Sequence, residues 1–551
     1  MKLAKRWLAF AAAALMIASL ALMAGCKPKK PPMQDNVPFD FPYPEHIDLT
    51  WYYGYDNTYF GDAFTNIEDH PFLKRLEQAT NVHMTYQLPT ATSLEGGRAE
   101  IQTMLAADEM TDLVTQAYFG LDLAGSTLDS VIDEEIYLCL NDYIDIQMPN
   151  FKNLCNEYAE IERTITTTQG NIVYLPKIST LDIAAEVNGS QRQTGGLLIR
   201  KDFLDEIQFV SEDGVSTVPV TIADWERCLT DFQLKLNVAT PLSIGSLKYC
   251  ASMSQDAFIT CYNQRYEWYL DQNGKVAYGA IGDGVKKYCE MMGKWVSNGL
   301  AVCNDLDAAA RASDDVGAWG GSAEDIMTCK NNAANPNYEL VACPDPVVNV
   351  GDKIVCRGKG TPIGSSDRDQ VYLAFSCSQP AIAAKWLDQF YTADAFYQCS
   401  YGVENEDYTK NADGTVTFTD KIKNAADPTG GINGMHYGIA QNAFLDGMWH
   451  DGNVISNHAY SAEAIAACDV WSQATAEFSF PTSVLSFEQE EADALKELNN
   501  FWMNQQSYLV GYVKNGDDMS TWDDFMSAMN EAGIEEYVEI YQAAYDRYLA
   551  S

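Results

Sequence analysis

Between residues 46 and 120 the apolar positions change period several times. Ile47, Leu49, Trp51 and Tyr53 alternate with Asp48, Thr50 and Tyr52, the two-residue repeat of a strand that runs into a loop at Gly54. Phe72, Leu73 and Leu76 then lie at helical spacing as far as Thr80-Asn81, after which Val82, Met84, Tyr86 and Leu88 return to alternation. A second helix carries Ile101, Met104 and Leu105. Past the turn at Asp108-Glu109, the short apolar run Leu113-Val114 leads into Gln116, Tyr118 and Phe119. Strand, helix, strand, helix, strand predicts a parallel sheet with crossover helices, because parallel neighbours need a long connection across a sheet face. Such sheets bind ligands beyond the carboxyl ends of their strands, which here means the loops after Tyr53 and Val114.

A second unit of the same kind starts near residue 180. Residues 171–176 read as extended, and Gly195-Gly196-Leu197-Leu198-Ile199-Arg200 as a strand feeding a helix over 202–207. Thr221 and Asp224 are cap candidates for a helix over 221–232 that places Trp225, Cys228, Leu229 and Phe232 on one face. A helix over 288–300, a loop at Trp319-Gly320-Gly321, a helix over 323–329 and a strand over 338–343 continue the alternation. Pro344 and Pro346 mark a hinge candidate. Pro380 opens a helix with the buried stripe Ile382, Trp386, Leu387 and Phe390, and the C-terminus is helical on both sides of Gly533. One core rarely grows to 551 residues, so the pattern predicts two lobes.

Composition narrows the function. A chain that is 47% hydrophobic and 21% charged is globular, and 77 acidic against 36 basic residues give a net charge of −41. That field repels phosphate backbones, which excludes nucleic acid as a partner. The N-terminus carries Lys2, Lys5 and Arg6 ahead of an uncharged apolar run over residues 7–24, the pattern of an export signal, and the run is also just long enough to span a bilayer. Leu22-Met23-Ala24-Gly25-Cys26 resembles a bacterial lipobox, with Met23 where a smaller residue is usual. The resemblance implies a signal peptide over 1–25, lipidation at Cys26 and a Pro- and Lys-rich tether over 26–45 that holds the protein to a membrane through its lipid only. Thirteen further cysteines are scattered singly, without CxxC pairs, which suits buried thiols better than a disulfide framework or a metal cluster. Exported proteins in air usually pair or avoid thiols, so this usage points to an anaerobic habitat.

Four segments in order resemble extracellular solute-binding lipoproteins of carbohydrate ABC importers, in their large Gram-positive form. They are residues 72–114 (FLKRLEQATNVHMTYQ, then AEIQTMLAADEMTDLV), 196–204 (GLLIRKDFL), 295–300 (WVSNGL) and 383–409 (AAKWLDQFYTADAFYQCSYGVENEDYT), with Trp522-Asp523-Asp524-Phe525 and the tail EYVEIYQAAYDRY completing the match. The resemblance implies an α/β, two-lobed periplasmic-binding-protein-like fold of type II, with lobes joined by extended crossovers. It also implies an oligosaccharide ligand, ABC importer permease subunits as partners, a lipid-anchored extracytoplasmic location, a monomer, and neither enzyme activity nor cofactor. The expected division is 46–177 plus 347–400 for one lobe and 178–346 plus 401–551 for the other.

The remaining chemistry fits a sugar site. Sugar rings pack C–H faces on aromatic planes and need donors and acceptors for their hydroxyls. Aromatic residues make up 12% of the chain. The ligand-contact candidates are Tyr53, Tyr55 and Asp56 after the first strand, Gln116 and Tyr118 after the third, Arg192 before the second unit's first strand, and Trp319 between its glycines, where the family often places a stacking aromatic. Trp225, Trp386 and Trp522 lie on amphipathic stripes and read as core, while Trp471 suits either role. Neighbouring carboxylates such as Asp133-Glu134 and Glu490-Glu491 read as solvated faces rather than a glycosidase pair. No HExxH, GxSxG or P-loop is present, and His450, Asp451 and His458 read as loop residues rather than metal ligands. A surface glycan-binding protein, a glycoside hydrolase and a binding protein for a non-sugar solute are the alternatives.

Overall fold

The computed structural model describes residues 39–53, 66–90, 94–115, 127–179, 193–245, 253–266, 268–271, 273–354, 370–426, 434–473, 485–516 and 518–550. In chain order the strands are β1 (Ile47–Tyr52), β2 (Val82–Gln87), β3 (Leu113–Thr115), β4 (Tyr174–Pro176), β5 (Ile178–Ser179), β6 (Gly195–Arg200), β7 (Thr240–Ser243) and the hairpin β8 (Trp268–Leu270) and β9 (Val276–Tyr278). They continue with β10 (Ala301–Val302), β11 (Val316–Ser322), β12 (Leu340–Cys343), β13 (Gln370–Leu373), the hairpin β14 (Tyr408–Lys410) and β15 (Val416–Phe418), and β16 (Trp449–His450).

The first sheet has the order β2-β1-β3-β13-β4. β1 runs parallel to β2 and β3, as the alternation of strands and helices predicts, and β13 enters antiparallel between β3 and β4. Local chemistry sets the first crossover helix, Pro71–Thr80. Pro71 occupies a first-turn position where no N–H is needed, the His70 ring accepts from the Phe72 N–H, and Asn81 closes the helix in the left-handed region at φ 59°. Phe72, Leu73 and Leu76 are buried in the same core as Leu49 and Trp51.

The second sheet has the order β10-β7-β11-β6-β12, with β6 antiparallel to both of its neighbours. Alternation along β6 splits its side chains between two cores. Leu197 and Ile199 face Trp225, Phe232 and Trp295, while Leu198 faces Trp319 and Trp471 on the opposite side. Thr221 and Asp224 form the expected capping box on the helix Ile222–Leu236. Trp225, Trp386 and Trp522 are all buried, as their stripes predict, and Trp471 joins them. Each large apolar side chain sealed in this way contributes about 1.5–3 kcal/mol of transfer free energy.

Two details differ from the sequence pattern. Residues 401–426 and 434–458, assigned above to the second lobe, form a small core of their own around Tyr401, Tyr408, Phe418 and Ile439 and join the first lobe. Phe444 and Met448 belong to the core of the first sheet, and Phe396 lies 4.8 Å from Trp449. The second lobe takes up the chain again at the helix Ala462–Trp471, whose Ala464, Ala467, Cys468 and Trp471 cover Leu198. Trp319-Gly320-Gly321, read as a loop, is instead the middle of β11. Glycine weakens a strand signal, but here it makes room: Gly321 pairs with Gly196, and a Cβ on Gly196 would come within 2.4 Å of the Trp471 indole. Among the described residues no helix is long and apolar enough to cross a membrane. The described cysteines are free, and nine of them, Cys155 and Cys343 among them, are buried.

Candidate functional site

The carboxyl end of the first sheet gathers an aromatic and charged group. Tyr53, immediately after β1, meets Trp51 edge-on at 5.1 Å and Tyr86 at 5.5 Å, while Trp51 stacks on Tyr86 at 5.6 Å. The Trp51 indole N–H donates to the Thr115 hydroxyl at the end of β3, at 2.8 Å. Lys177 follows β4 directly. Its ammonium lies 5.3 Å from the centre of the Tyr53 ring and 2.7 Å from Oδ1 of Asp446. Both charged side chains are withdrawn from water, at 3% and 14% exposure. Oδ2 of Asp446 is buried and has no hydrogen-bond partner among the described residues.

The first crossover out of this lobe begins here. Ile178 N–H donates to the Met448 carbonyl, and β5 pairs in parallel with β16. His450 in β16 places Nδ1 3.2 Å from the Gly447 carbonyl. Burial pushes its pKa down to about 4, with the Lys177 charge adding to the effect, so the imidazole is neutral at ordinary pH.

The carboxyl end of the second sheet presents Ser243, Ser322 and Asp345. Ser243 Oγ donates to the Asn304 carbonyl, Ser322 and Asp325 cap the helix Ala323–Asn332, and the Thr260 hydroxyl lies 3.5 Å from Asp345. Contacts among the described residues tie the two lobes together. His436 Nδ1 lies 3.8 Å from Oε1 of Glu324, Arg163 sits over the Tyr548 ring at 5.0 Å, and Thr168 N–H donates to the Ser486 hydroxyl at 3.2 Å. Among the described residues no group of three His, Cys, Asp or Glu side chains is arranged to hold a metal ion.

Of the residues singled out from sequence, Tyr53 stands where its strand predicts, at the carboxyl end of β1, and is 1% exposed. Trp319 does not stand at a sheet end. At 3% exposure it is packed against Ala464, Cys468 and Trp471, because strand alternation turns it to the face that the helix Ala462–Trp471 covers. Tyr55, Asp56, Gln116, Tyr118, Arg192 and Cys26 lie outside the described residues. The sequence reading missed Lys177 and Asp446. A lysine directly after an apolar strand was a usable signal for the first, whereas nothing near residue 446 announces the second.

No family model matches the chain. A curated relative, the fructooligosaccharide ABC transporter substrate-binding protein FusA of Streptococcus pneumoniae serotype 4, is 21% identical over 578 aligned positions that take in 98% of each chain. A solved structure of an EF-hand mutant of S. pneumoniae FusA in complex with fructo-nystose superposes with a TM-score of 0.69 at 17% identity, over 91% of this chain and 99% of that one. The alginate-binding protein AlgQ2, solved without calcium ion, gives a TM-score of 0.67 at 16% identity over 92% and 99%. These neighbours establish the two-lobed α/β fold, and they bear out the resemblance to solute-binding proteins of carbohydrate importers.

Proposed function

We propose that this chain is the substrate-binding component of an ABC importer and captures an oligosaccharide between its lobes. The observation that carries this reading is the end-to-end likeness, in sequence and in fold, to a protein that serves a fructooligosaccharide transporter. The arrangement is suited to capture. Two separately cored sheets are joined by a crossover that leaves the carboxyl end of the first sheet at β5, and that end carries rings beside a paired lysine and aspartate. Ligand favours closure because it touches both walls only when they meet, and a mostly open population becomes mostly closed when the two states differ in affinity by about 5 kcal/mol.

Tyr53, Tyr55 and Asp56 after β1, Gln116 and Tyr118 after β3, and Arg192 ahead of β6 are the proposed ligand contacts. Trp319 would reach ligand only if the helix over it moved. Permease subunits receive the closed form, and lipidated Cys26 with its tether keeps a monomeric protein at the outer membrane surface of the cell. The reading is of a binding protein that leaves its ligand chemically unchanged.

A thermal-shift screen of oligosaccharides against peptides tests the ligand class, since a solute that binds only the folded state raises its melting temperature. Small-angle scattering with the best sugar should show a smaller radius of gyration. Peptide stabilisation without sugar stabilisation would overturn the reading, as would product released from an oligosaccharide.

A further inference from the structure

We infer that the Lys177–Asp446 pair is a hydroxyl-reading element of the site and selects an uncharged oligosaccharide over a polyuronate; this rests on the sugar-binding reading above. Three observations converge on it. The pair lies at the carboxyl end of the first sheet, where Lys177 directly follows β4 and stands over the Tyr53 ring. It is withdrawn from water, so each hydrogen bond it makes counts for more than one at the surface. Its hydrogen bonding is also incomplete, because Lys177 engages Oδ1 while Oδ2 of Asp446 is buried without a partner among the described residues. A buried carboxylate oxygen left without a donor costs free energy, which a hydroxyl donor recovers.

The chemistry that fits is a pair of neighbouring hydroxyls on a sugar ring. One donates to Oδ2 of Asp446, the other accepts from the Lys177 ammonium, and the Tyr53 ring offers an apolar face beside them. Oδ2 is closed off in this conformation, so a hydroxyl reaches it only once the groups that cover it move apart. A carboxylate-bearing sugar fits badly. Lys177 is already neutralised by Asp446, the added charge would face the Asp446 carboxylate in a medium of low polarity, and the whole chain carries −41. The fold itself does not decide this, since similar structures include both a fructooligosaccharide complex and an alginate-binding protein.

The experiment is calorimetric titration of the full chain with two probes, a neutral fructooligosaccharide series and an alginate trisaccharide, on wild type, Asp446→Asn and the double variant Lys177→Met/Asp446→Leu. The double variant replaces a buried pair by apolar groups of similar size and so keeps the fold where a single change would strand a buried charge. Wild type should bind the neutral series and not the uronate. The double variant should lose about 10- to 100-fold in affinity for the neutral sugar while its melting temperature holds, the loss expected for hydrogen bonds to charged groups. Asp446→Asn should gain uronate binding, because it removes the negative charge beside the Lys177 ammonium. Wild-type affinity in the double variant, or uronate binding by wild type equal to that of the neutral sugar, would overturn the inference and leave sugar capture standing. Binding of neither probe, together with no hit in the wider sugar screen, would sink both.

Discussion

The two lobes bury a cation each, at opposite ends of their sheets, and the surroundings differ. Arg200 closes β6 beside the amino end of β11, the end away from the carboxyl termini of the parallel strands. It is fully buried and well partnered: four of its five N–H groups are engaged, two by Asp202, one by Asp314 and one by the Ser313 carbonyl, and the guanidinium lies 3.9 and 4.1 Å from the ring centres of Phe203 and Tyr338. Lys177, at the carboxyl end of the other sheet, meets an aspartate that still has an oxygen unpartnered among the described residues. A well-partnered network stabilises a fold. One with an open acceptor at a strand's carboxyl end is where a ligand has something to add.

The largest effect expected from this contrast is on Arg200. Arg200→Met should destabilise the protein by about 3–5 kcal/mol in urea unfolding, because it strands carboxylates that the guanidinium now holds and leaves a gap between two rings. Sugar affinity of the molecules that remain folded should not change. A marked loss of affinity at unchanged stability would break the distinction between the two cations.

Next comes acid. All six histidines, at positions 46, 70, 83, 436, 450 and 458, fall in segments that pack with the first lobe. His70 is fully buried, and burial, reinforced by the Arg75 charge, pushes its pKa down from 6.5 to about 3. The unfolded chain therefore takes up this proton first as pH falls. The stability that neutral His70 provides is whole above pH 6.5 and is lost on the way down, by about 3 kcal/mol at pH 4. Thermal melts across this range should show the slope, and His70→Asn, which keeps an acceptor for the Phe72 N–H, should flatten it. An unchanged slope in the variant would assign the acid sensitivity elsewhere.

The smallest effect is steric and belongs to the second lobe. Gly196→Ala drives a methyl into the Trp471 indole and should cost about 1–3 kcal/mol, visible as a lower melting temperature. Pairing the change with Trp471→Phe should recover part of the loss, since the two groups share one space.

Much of this architecture was legible in short windows of residues. The alternation at Ile47, Leu49 and Trp51, the helical stripe at Phe72 and Leu76, and the Thr221 to Asp224 cap are local statements that the structure repeats almost residue for residue. Trp319 failed because its glycine neighbours signal a loop on local grounds, while their actual purpose is to admit an indole carried by a helix more than a hundred residues later. The boundary at 401 failed for a similar reason: Phe396 and Trp449 reveal which lobe they serve only once they touch.

The amino-acid order by itself determined two α/β units, most of their element types and the burial of Trp225, Trp386 and Trp522, because backbone periodicity and capping act within a few residues. Tertiary structure alone decided which polar groups meet at the sheet ends. Lys177 and Asp446 are 269 positions apart, and Arg200 and Asp314 are 114 apart. Whether a buried charge ends up well partnered or with an acceptor to spare depends on the packing of distant segments, on which local pattern is silent.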